Sequence, residues 1–462
     1  MGLKGMRIAL INAYCAAAGP DRAMELAHAL ADQGHRVDVM QRREDEDSPD
    51  VSAPRAGLRV LRLSAGPAVP LNEAHTLRHV PALVSAVEKL IAYGGRYDVA
   101  HAHRLLSGLV AQRVKESKGL PFAASFDSLG LVIRSEHIEY EESVERRVDI
   151  ERRVMSHADC VLAECPRQRD DLQRLYGVHV DQIAVSPPGV DTSIFQPGNR
   201  ALARRKAGLA ADDFVIVQAG KLTAHKGVDN AMRAMGRLGS SVRARLLVVG
   251  ADADANGAEI RRLAELAKDC GVASQVEFLG QRPRSEMPEL LAAADVLVDT
   301  PWFEPLSKLP LEAMACGIPV IVSDVGGASH TVSDGVTGFL VRPRDPFGLA
   351  GRLEQLQSNP ALAGAFGRAG VLRARSVFGW DHVAHELSHI YHRLRDQAVS
   401  NGSWVLAMPE DGFRWSAMAD ASSIAAAEHT ADTGIETVNG IGWYQAYDKA
   451  SRPHADTRLH RT

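Results

Sequence analysis

Cysteine is scarce and scattered in this chain. Cys15, Cys160, Cys165, Cys270 and Cys316 form no Cys-x-x-Cys pair. That excludes a disulfide framework and a zinc ribbon, and fits a reducing compartment. Long hydrophobic runs are also missing. No window approaches about 18 uninterrupted apolar residues, so no transmembrane segment is expected. The opening MGLKGMRIALIN has too short an apolar run for a signal peptide and reads as a first strand. Nor does charge of one sign dominate. With 53 Lys+Arg against 57 Asp+Glu, the net charge is −4, which gives no reason to expect a nucleic-acid partner. The lack of a basic amphipathic stripe weakens the case for peripheral membrane contact while leaving it open. The expectation is a cytoplasmic protein. What is present is an ordinary globular balance, 45% hydrophobic and 24% charged over 462 residues, enough for two large α/β domains.

Short apolar runs alternate with helical-period segments, the pattern of parallel βα units. Strands are expected at Met6–Asn12, Arg36–Met40, Leu58–Leu61, Asp98–His101, Pro121–Ser125, Cys160–Ala163 and Ile183–Val185. Helices are expected at Arg22–Gln33, Thr76–Tyr93, Leu105–Ser117, His137–His157 and Arg167–Tyr176. Pro/Gly clusters at Ser186-Pro187-Pro188-Gly189 and Gln196-Pro197-Gly198-Asn199 then punctuate a linker. A second series follows, with strands at Phe214–Ala219, Arg245–Gly250, Val276–Leu279, Asp295–Asp299, Pro319–Ser323 and Phe339–Val341. Its helical patterns are Val228–Leu238, Glu259–Lys268, Met287–Ala293 and Leu306–Cys316, and Trp380–Arg395 forms a last helix with Val383, Leu387, Ile390 and Leu394 on one face. Two such open sheets place a cleft between two rows of carboxyl strand ends, where ligands bind by default. The division expected is 1–195, 196–376 and a returning helix at 377–397, with 398–462 unassigned and read as a partly disordered tail.

Two stretches carry chemistry. Gly220-Lys221-Leu222-Thr223-Ala224-His225-Lys226-Gly227 joins a strand to a helix, and two lysines there suit a phosphate near a helix N-terminus. It lacks Walker A spacing. The second is Glu304-Pro305-Leu306-Ser307-Lys308, where Glu304 is expected at a strand's end and Glu312 lies eight residues on, inside the following helix. If helical throughout, eight residues rise about 12 Å and return to nearly the same side, so two carboxylates can touch opposite ends of one elongated ligand. A helix starting near Leu306 also aims its first amides between them. Asp252-Ala253-Asp254 reads as loop and His101-x-His103 lacks a third ligand, so no metal is expected. The acidic run at 44–47 and the charged Glu141-Glu142 to Arg153 stretch read as solvated surface.

Glu304-x7-Glu312 followed by Ala-Met-Ala-Cys-Gly-Ile-Pro-Val-Ile-Val-Ser-Asp-Val-Gly-Gly resembles the retaining glycosyltransferases of family four, which have the GT-B fold. Pro188-Gly189-Val190-Asp191 with Phe195 and Pro197, Glu25-Leu26-Ala27, and Asp98-Val99-Ala100-His101-Ala102-His103 match further motifs, so the resemblance spans about Met6 to Arg395. It implies an α/β protein of two Rossmann-like parallel-sheet domains facing an interdomain cleft. It also implies retaining transfer from a nucleotide-diphosphate sugar, UDP favoured and GDP next, to a small-molecule or glycan hydroxyl. No cofactor or metal is implied. By this resemblance Glu304, Lys221, Lys226 and Asp127 are catalytic; Gly220, Lys221, Lys226, Glu304, Leu306, Ser307, Lys308 and Glu312 bind the donor; and Gly19, His103 and Asp127 face the acceptor. Glu312 would take the ribose hydroxyls, Glu304 the donor sugar and Lys226 the diphosphate. Acceptor identity and oligomeric state are left open.

Several positions depart from the family pattern. Lys221 replaces the commoner Arg, keeping charge without the bidentate fork. Ala18-Gly19-Pro20 replaces a Gly-Gly loop, and Leu306-Ser307 replaces Phe-Gly. In Ser125-Phe126-Asp127-Ser128-Leu129-Gly130, Asp127 stands where histidine is common. An ionised carboxylate only accepts hydrogen bonds, which points to a neutral or amino-bearing acceptor and against an anionic one. Two alternatives to transfer remain: a nucleotide-sugar-binding protein without transferase activity, and a GT-B phosphorylase or epimerase.

Overall fold

The computed structural model describes residues 5–13, 22–135, 143–239, 242–250 and 253–402. Gly19, Pro20, Glu141, Glu142, Asp252 and the tail from 403 lie outside them. Fourteen strands among the described residues form two sheets.

The first sheet holds β1 (Arg7–Asn12), β2 (Arg36–Arg42), β3 (Val51–Arg55), β4 (Leu58–Leu63), β5 (Val99–His103), β6 (Phe122–Ser125), β7 (Cys160–Ala163) and β8 (Ile183–Val185). Their order is β3-β4-β2-β1-β5-β6-β7-β8. All neighbours are parallel except β3, which pairs antiparallel with β4 at one edge. The second sheet holds β9 (Phe214–Ala219), β10 (Ala244–Val249), β11 (Val276–Phe278), β12 (Val296–Asp299), β13 (Val320–Ser323) and β14 (Gly338–Val341). It is wholly parallel in the order β11-β10-β9-β12-β13-β14.

Side chains alternate across each strand, so each sheet carries a core on both faces. In β1, Ile8 and Leu10 pack on one side while Ala9 and Ile11 pack on the other. Central strands buried on both faces read as unbroken apolar runs, which is why they stand out in the sequence. The second sheet is divided the same way, with Ile216 on one face and Val215 and Val217 on the other.

The last helix, Trp380–Ser400, returns to the first sheet. Val383, Leu387, Tyr391 and Leu394 are buried there against Ile8, Leu10, Leu30 and Leu162. Full burial of such a side chain contributes about 1.5–3 kcal/mol, so this helix completes the first sheet's core. It runs five residues beyond the expected Arg395 and buries Ala398. The return begins where Val190 of the linker bonds the Phe378 carbonyl at 2.7 Å, so the outgoing and returning chains lie side by side.

Candidate active site

The carboxyl ends of the two parallel sheets face each other. Leu129, Cys165 and Gln168 from the first sheet and Trp302, Pro305 and Gly326 from the second line one groove between them.

On the second side, the loop after β9 turns sharply. Gly227 has φ +69°, and an added Cβ there would lie 2.0 Å from the Thr300 carbonyl oxygen, so only glycine lets the turn close against β12. The buried Gln218 amide donates to the Lys226 carbonyl at 3.0 Å. Held this way, the Lys226 ammonium pairs with Glu304. Burial opposes the Lys226 charge, but Glu304 and Asp299 outweigh it and hold the ammonium above its ordinary range. Gly220 and Lys221 are exposed in the preceding loop, and Lys221 makes no ion pair among the described residues. The two lysines are therefore not equivalent.

Two expectations about the Glu304 stretch are corrected. Glu304 does not end the strand: β12 closes at Asp299, five residues earlier. The helix does not start near Leu306 either, but runs only over Leu309–Ala315 behind Lys308. Pro310 in its first turn removes an amide donor. Residues 304–308 are thus an irregular loop, and Glu304 and Glu312 are not related by two helical turns.

That loop is clamped from outside. Gly327 N–H donates to the Pro305 carbonyl at 2.8 Å. Gly326 has φ +53°, and a Cβ on it would sit 1.9 Å from the Glu304 carbonyl oxygen. The clamp leaves a small pocket lined by Asp299, Glu304, Leu306, Ser307 and Ser323. Asp299, unmarked in the sequence beyond ending an apolar run, is buried there. Its carboxyl is pushed up to about 6 by burial, with Glu304 adding to the shift and Lys226 and a Ser307 hydrogen bond opposing it.

Glu312 lies at the other end of the loop, nearly buried, and accepts from Arg284 Nη1 at 2.5 Å. Burial raises its carboxyl above the ordinary range despite Arg284 and Lys308. Arg284 also reaches Glu25 at 3.0 Å, and Glu25 takes Lys308 Nζ at 2.8 Å. Glu25 belongs to the helix Arg22–Asp32 of the first sheet, so this ion-pair chain crosses the cleft. No sequence motif pointed to Arg284.

On the first side, His103 ends β5 and Asp127 follows β6. Asp127 Oδ2 accepts from Arg104 Nε at 2.7 Å, and its Oδ1 lies 3.7 Å from Arg22 Nη1. Arg22 itself pairs with Glu164 at the end of β7. Burial, reinforced by Asp127, lifts the Glu164 carboxyl to about 7 against Arg22 and Lys308. The structure thus brings His103 and Asp127 together and gives Asp127 two guanidinium neighbours; Gly19 is outside the described residues.

His101 and His103 do not converge as metal ligands. Tyr391 OH and His101 Nδ1 are 2.6 Å apart, His101 Nε2 and Ser125 Oγ 3.0 Å, and His103 Nδ1 and Ser125 Oγ 3.1 Å. Among the described residues no group of three or more His, Cys, Asp or Glu is arranged to hold a metal. Burial lowers His103 to about 3, so it is expected to stay neutral down to about pH 5. Imidazole nitrogen shifts in an NMR pH titration check this; a His103 inflection near 6.5 would refute it.

Two Rossmann-like sheets with apposed carboxyl ends, and a cation–carboxylate pair joining the loops after the adjacent strands β9 and β12 of the second, define a GT-B glycosyltransferase architecture. Residues 199–373 match the family described as Glycosyl transferases group 1, and residues 19–189 match the Glycosyl transferase 4-like domain. The chain is 33% identical to a D-inositol 3-phosphate glycosyltransferase of Stackebrandtia nassauensis, covering 82% of this chain and 87% of that one. It is 34% identical to the D-inositol 3-phosphate glycosyltransferase of Acidothermus cellulolyticus, over 79% and 83%. The solved structure of sucrose-phosphate synthase from Thermosynechococcus elongatus superposes with a TM-score of 0.75 at 30% identity, covering 85% of this chain and all of that one. The chain belongs to the group 1 glycosyl transferases and is a glycosyltransferase. No helix among the described residues is long and apolar enough to cross a membrane.

Proposed function

We propose that this glycosyltransferase moves a sugar from a nucleotide-diphosphate sugar to a hydroxyl of a small-molecule or glycan acceptor, with retention at the anomeric carbon. UDP-sugars are favoured as donors and GDP-sugars come next. The observation that carries the reading is the Lys226–Glu304 pair beside the Asp299–Ser307 pocket, with Glu312 at the far end of the same loop. A diphosphate arriving there takes over Lys226 and releases Glu304 to accept hydrogen bonds from the donor sugar. Charge then grows on the departing diphosphate, where a fixed ammonium stabilises it most. The acceptor hydroxyl gives its proton to the departing phosphate on the same face, so no protein nucleophile and no metal enter the scheme. The relatives named as D-inositol 3-phosphate glycosyltransferases make polyols the first acceptor class to try.

The test is a thermal-shift screen of UDP-, GDP-, ADP- and dTDP-sugars, followed by transfer assays. A donor at 100 times its Kd stabilises the fold by about 2.7 kcal/mol if it binds only the native state. Absence of any shift would sink the reading. Donor binding with neither transfer nor hydrolysis would instead favour a binding protein, and dependence on inorganic phosphate a phosphorylase.

Glu312→Ala is expected to weaken nucleotide binding. A hydrogen bond to a charged group is worth about 1.5–3 kcal/mol, so the affinity should fall roughly ten- to a hundredfold. Calorimetry with the free nucleotide reads this directly, and an unchanged Kd removes Glu312 from the ribose role.

A further inference from the structure

Glu312 is a nearly buried carboxylate with one direct donor. Of the described residues only Arg284 gives its side chain a hydrogen bond, from Nη1 at 2.5 Å. An ionised carboxylate has about four acceptor sites, so this pairing leaves enough of them for two ribose hydroxyls. Arg284 is therefore a companion of a bound nucleotide and not its competitor. If Glu312 took up a proton it would lose the charge that makes such hydrogen bonds strong, and burial pushes it in that direction.

The guanidinium is fixed on three sides. Arg284 opens the turn Arg284–Glu286, ahead of the helix Met287–Ala293. Its Nη1 goes to Glu312, its Nη2 to Glu25 at 3.0 Å, and its Cζ stands 4.9 Å from the centre of the buried Phe195 ring. A planar fork spans two carboxylates in this way, whereas a lysine has a single charged atom and no such plane. Lys308 is the other cation that acts on Glu312, but Glu25 holds its ammonium at 2.8 Å. The Cys316 thiol lies one helical turn on; burial, with Glu312 adding to it, pushes that thiol up to about 12 and leaves it uncharged. Arg284 and Lys308 thus favour the ionised carboxylate, and burial and the charge of Glu25 oppose it.

We propose that Arg284 is a positioning residue for the nucleotide: it holds Glu312 ionised and turned towards the ribose, while Glu25 of the opposite sheet fixes the other arm of its fork. The nucleotide subsite is then finished from across the cleft. This rests on the ribose role of Glu312 proposed above. The ionised carboxylate is the binding form, so nucleotide affinity is full above the Glu312 inflection and falls about tenfold per pH unit below it. Loss of Arg284 removes the larger of the two cations that lower this carboxyl, so the inflection moves up. Loss of the charge on Glu25 removes a group that raises it, so the inflection moves down.

Two measurements on the full chain test this. Carbon NMR of glutamate labelled at Cδ follows the Glu312 carboxyl directly, its resonance being the one that disappears in Glu312→Gln. Calorimetry with UDP-glucose, whose diphosphate has no proton to lose between about pH 5.5 and 8.5, follows affinity across the same range; if another nucleotide wins the thermal-shift screen, its sugar replaces this probe. Arg284→Gln is expected to raise the Glu312 inflection by about one pH unit or more. It should weaken UDP-glucose about tenfold at the acid end and recover most of that loss at the alkaline end. Arg284→Lys keeps the charge without the fork, so the inflection should stay near its wild-type place while affinity falls at every pH. Glu25→Gln should move the inflection down, opposite to Arg284→Gln, a pair of signs that a misfolded loop does not produce. An inflection that Arg284→Gln leaves unmoved, or an affinity loss from it that is equal at all pH values, overturns the proposal. In that case a loss of affinity in Glu312→Ala still leaves the ribose role standing. A failure of every nucleotide to bind sinks the ribose role instead, and the carboxyl titration then decides alone whether Arg284 holds Glu312 ionised.

Discussion

Lys226→Ala should lower kcat by about 10²–10³, the usual consequence of removing one preorganised donor from a site of developing negative charge. The ammonium is fixed before substrate arrives, by the Gly227 turn and by the Gln218 bond to its own carbonyl. Little reorganisation is therefore left to the moment of reaction. On the proposed reading the ground-state donor also contacts Lys226, but the charge it meets grows towards the transition state, so kcat should fall more than donor affinity. A second effect follows from Asp299. Burial pushes its carboxyl up to about 6, and Lys226 is the larger of two groups that restrain it, Ser307 being the other. Without the ammonium, Asp299 rises further and stays protonated over more of the neutral range. Steady-state kinetics with the donor selected by thermal shift provide the check. Equal factors in kcat and in donor affinity would mean that Lys226 only holds the nucleotide.

The other large effect is expected at a residue with no side chain. Gly326→Ala forces an L residue to φ +53° and drives a methyl group to 1.9 Å from the Glu304 carbonyl oxygen and 2.4 Å from that of Pro305. Left-handed backbone alone costs about 1–2 kcal/mol, which lowers Tm by roughly 2–8 °C in a domain of this size. The collision must also displace the loop that carries Glu304, and a misplacement of about 1 Å costs on the order of 10²-fold in rate. Gly335→Ala is the matched control. Its φ is +71°, yet nothing lies within 4 Å of the added Cβ. Both variants should lose stability, and only Gly326→Ala should lose kcat by that factor. A similar rate loss in the two would show that the clamp on Glu304 is irrelevant.

What the sequence made legible was whatever burial writes into a local pattern. β7 and β9 fall where their apolar runs place them, because strands covered on both faces tolerate little else. β3 went unseen: it contains Pro54, alternates poorly and lies exposed at an edge, the one place where a sheet accepts such a strand. The helices Pro346–Ser358 and Pro360–Phe378 were also missed, although Asp345 and Asn359 cap them and each begins with proline, a readable start signal. In the cleft, Lys226, Glu304 and Glu312 sit in motifs that single them out. Arg284, Glu25, Asp299 and Glu164 matter through pairings with residues up to 283 positions away. No local spacing encodes such a pairing. The helix expected from Leu306 begins only at Leu309 because the conformation of residues 304–308 is set by Gly326 and Gly327, a purely tertiary effect.

The returning helix has a consequence for how the molecule is made. His35 meets Ser388 at 2.9 Å, His101 meets Tyr391, and the face of β1 that carries Ile8 and Leu10 is covered by Leu387 and Leu394. The first half of the polypeptide thus leaves the ribosome lacking part of its own interior. That part is translated about 200 residues later, after the entire second sheet, a delay of roughly 10–40 s at bacterial or eukaryotic elongation rates. During that interval an apolar flank of the nascent chain is uncovered, and two buried imidazoles lack their partners. The second sheet has no such debt and is able to close first, so the half that begins the message is expected to be the last to finish folding.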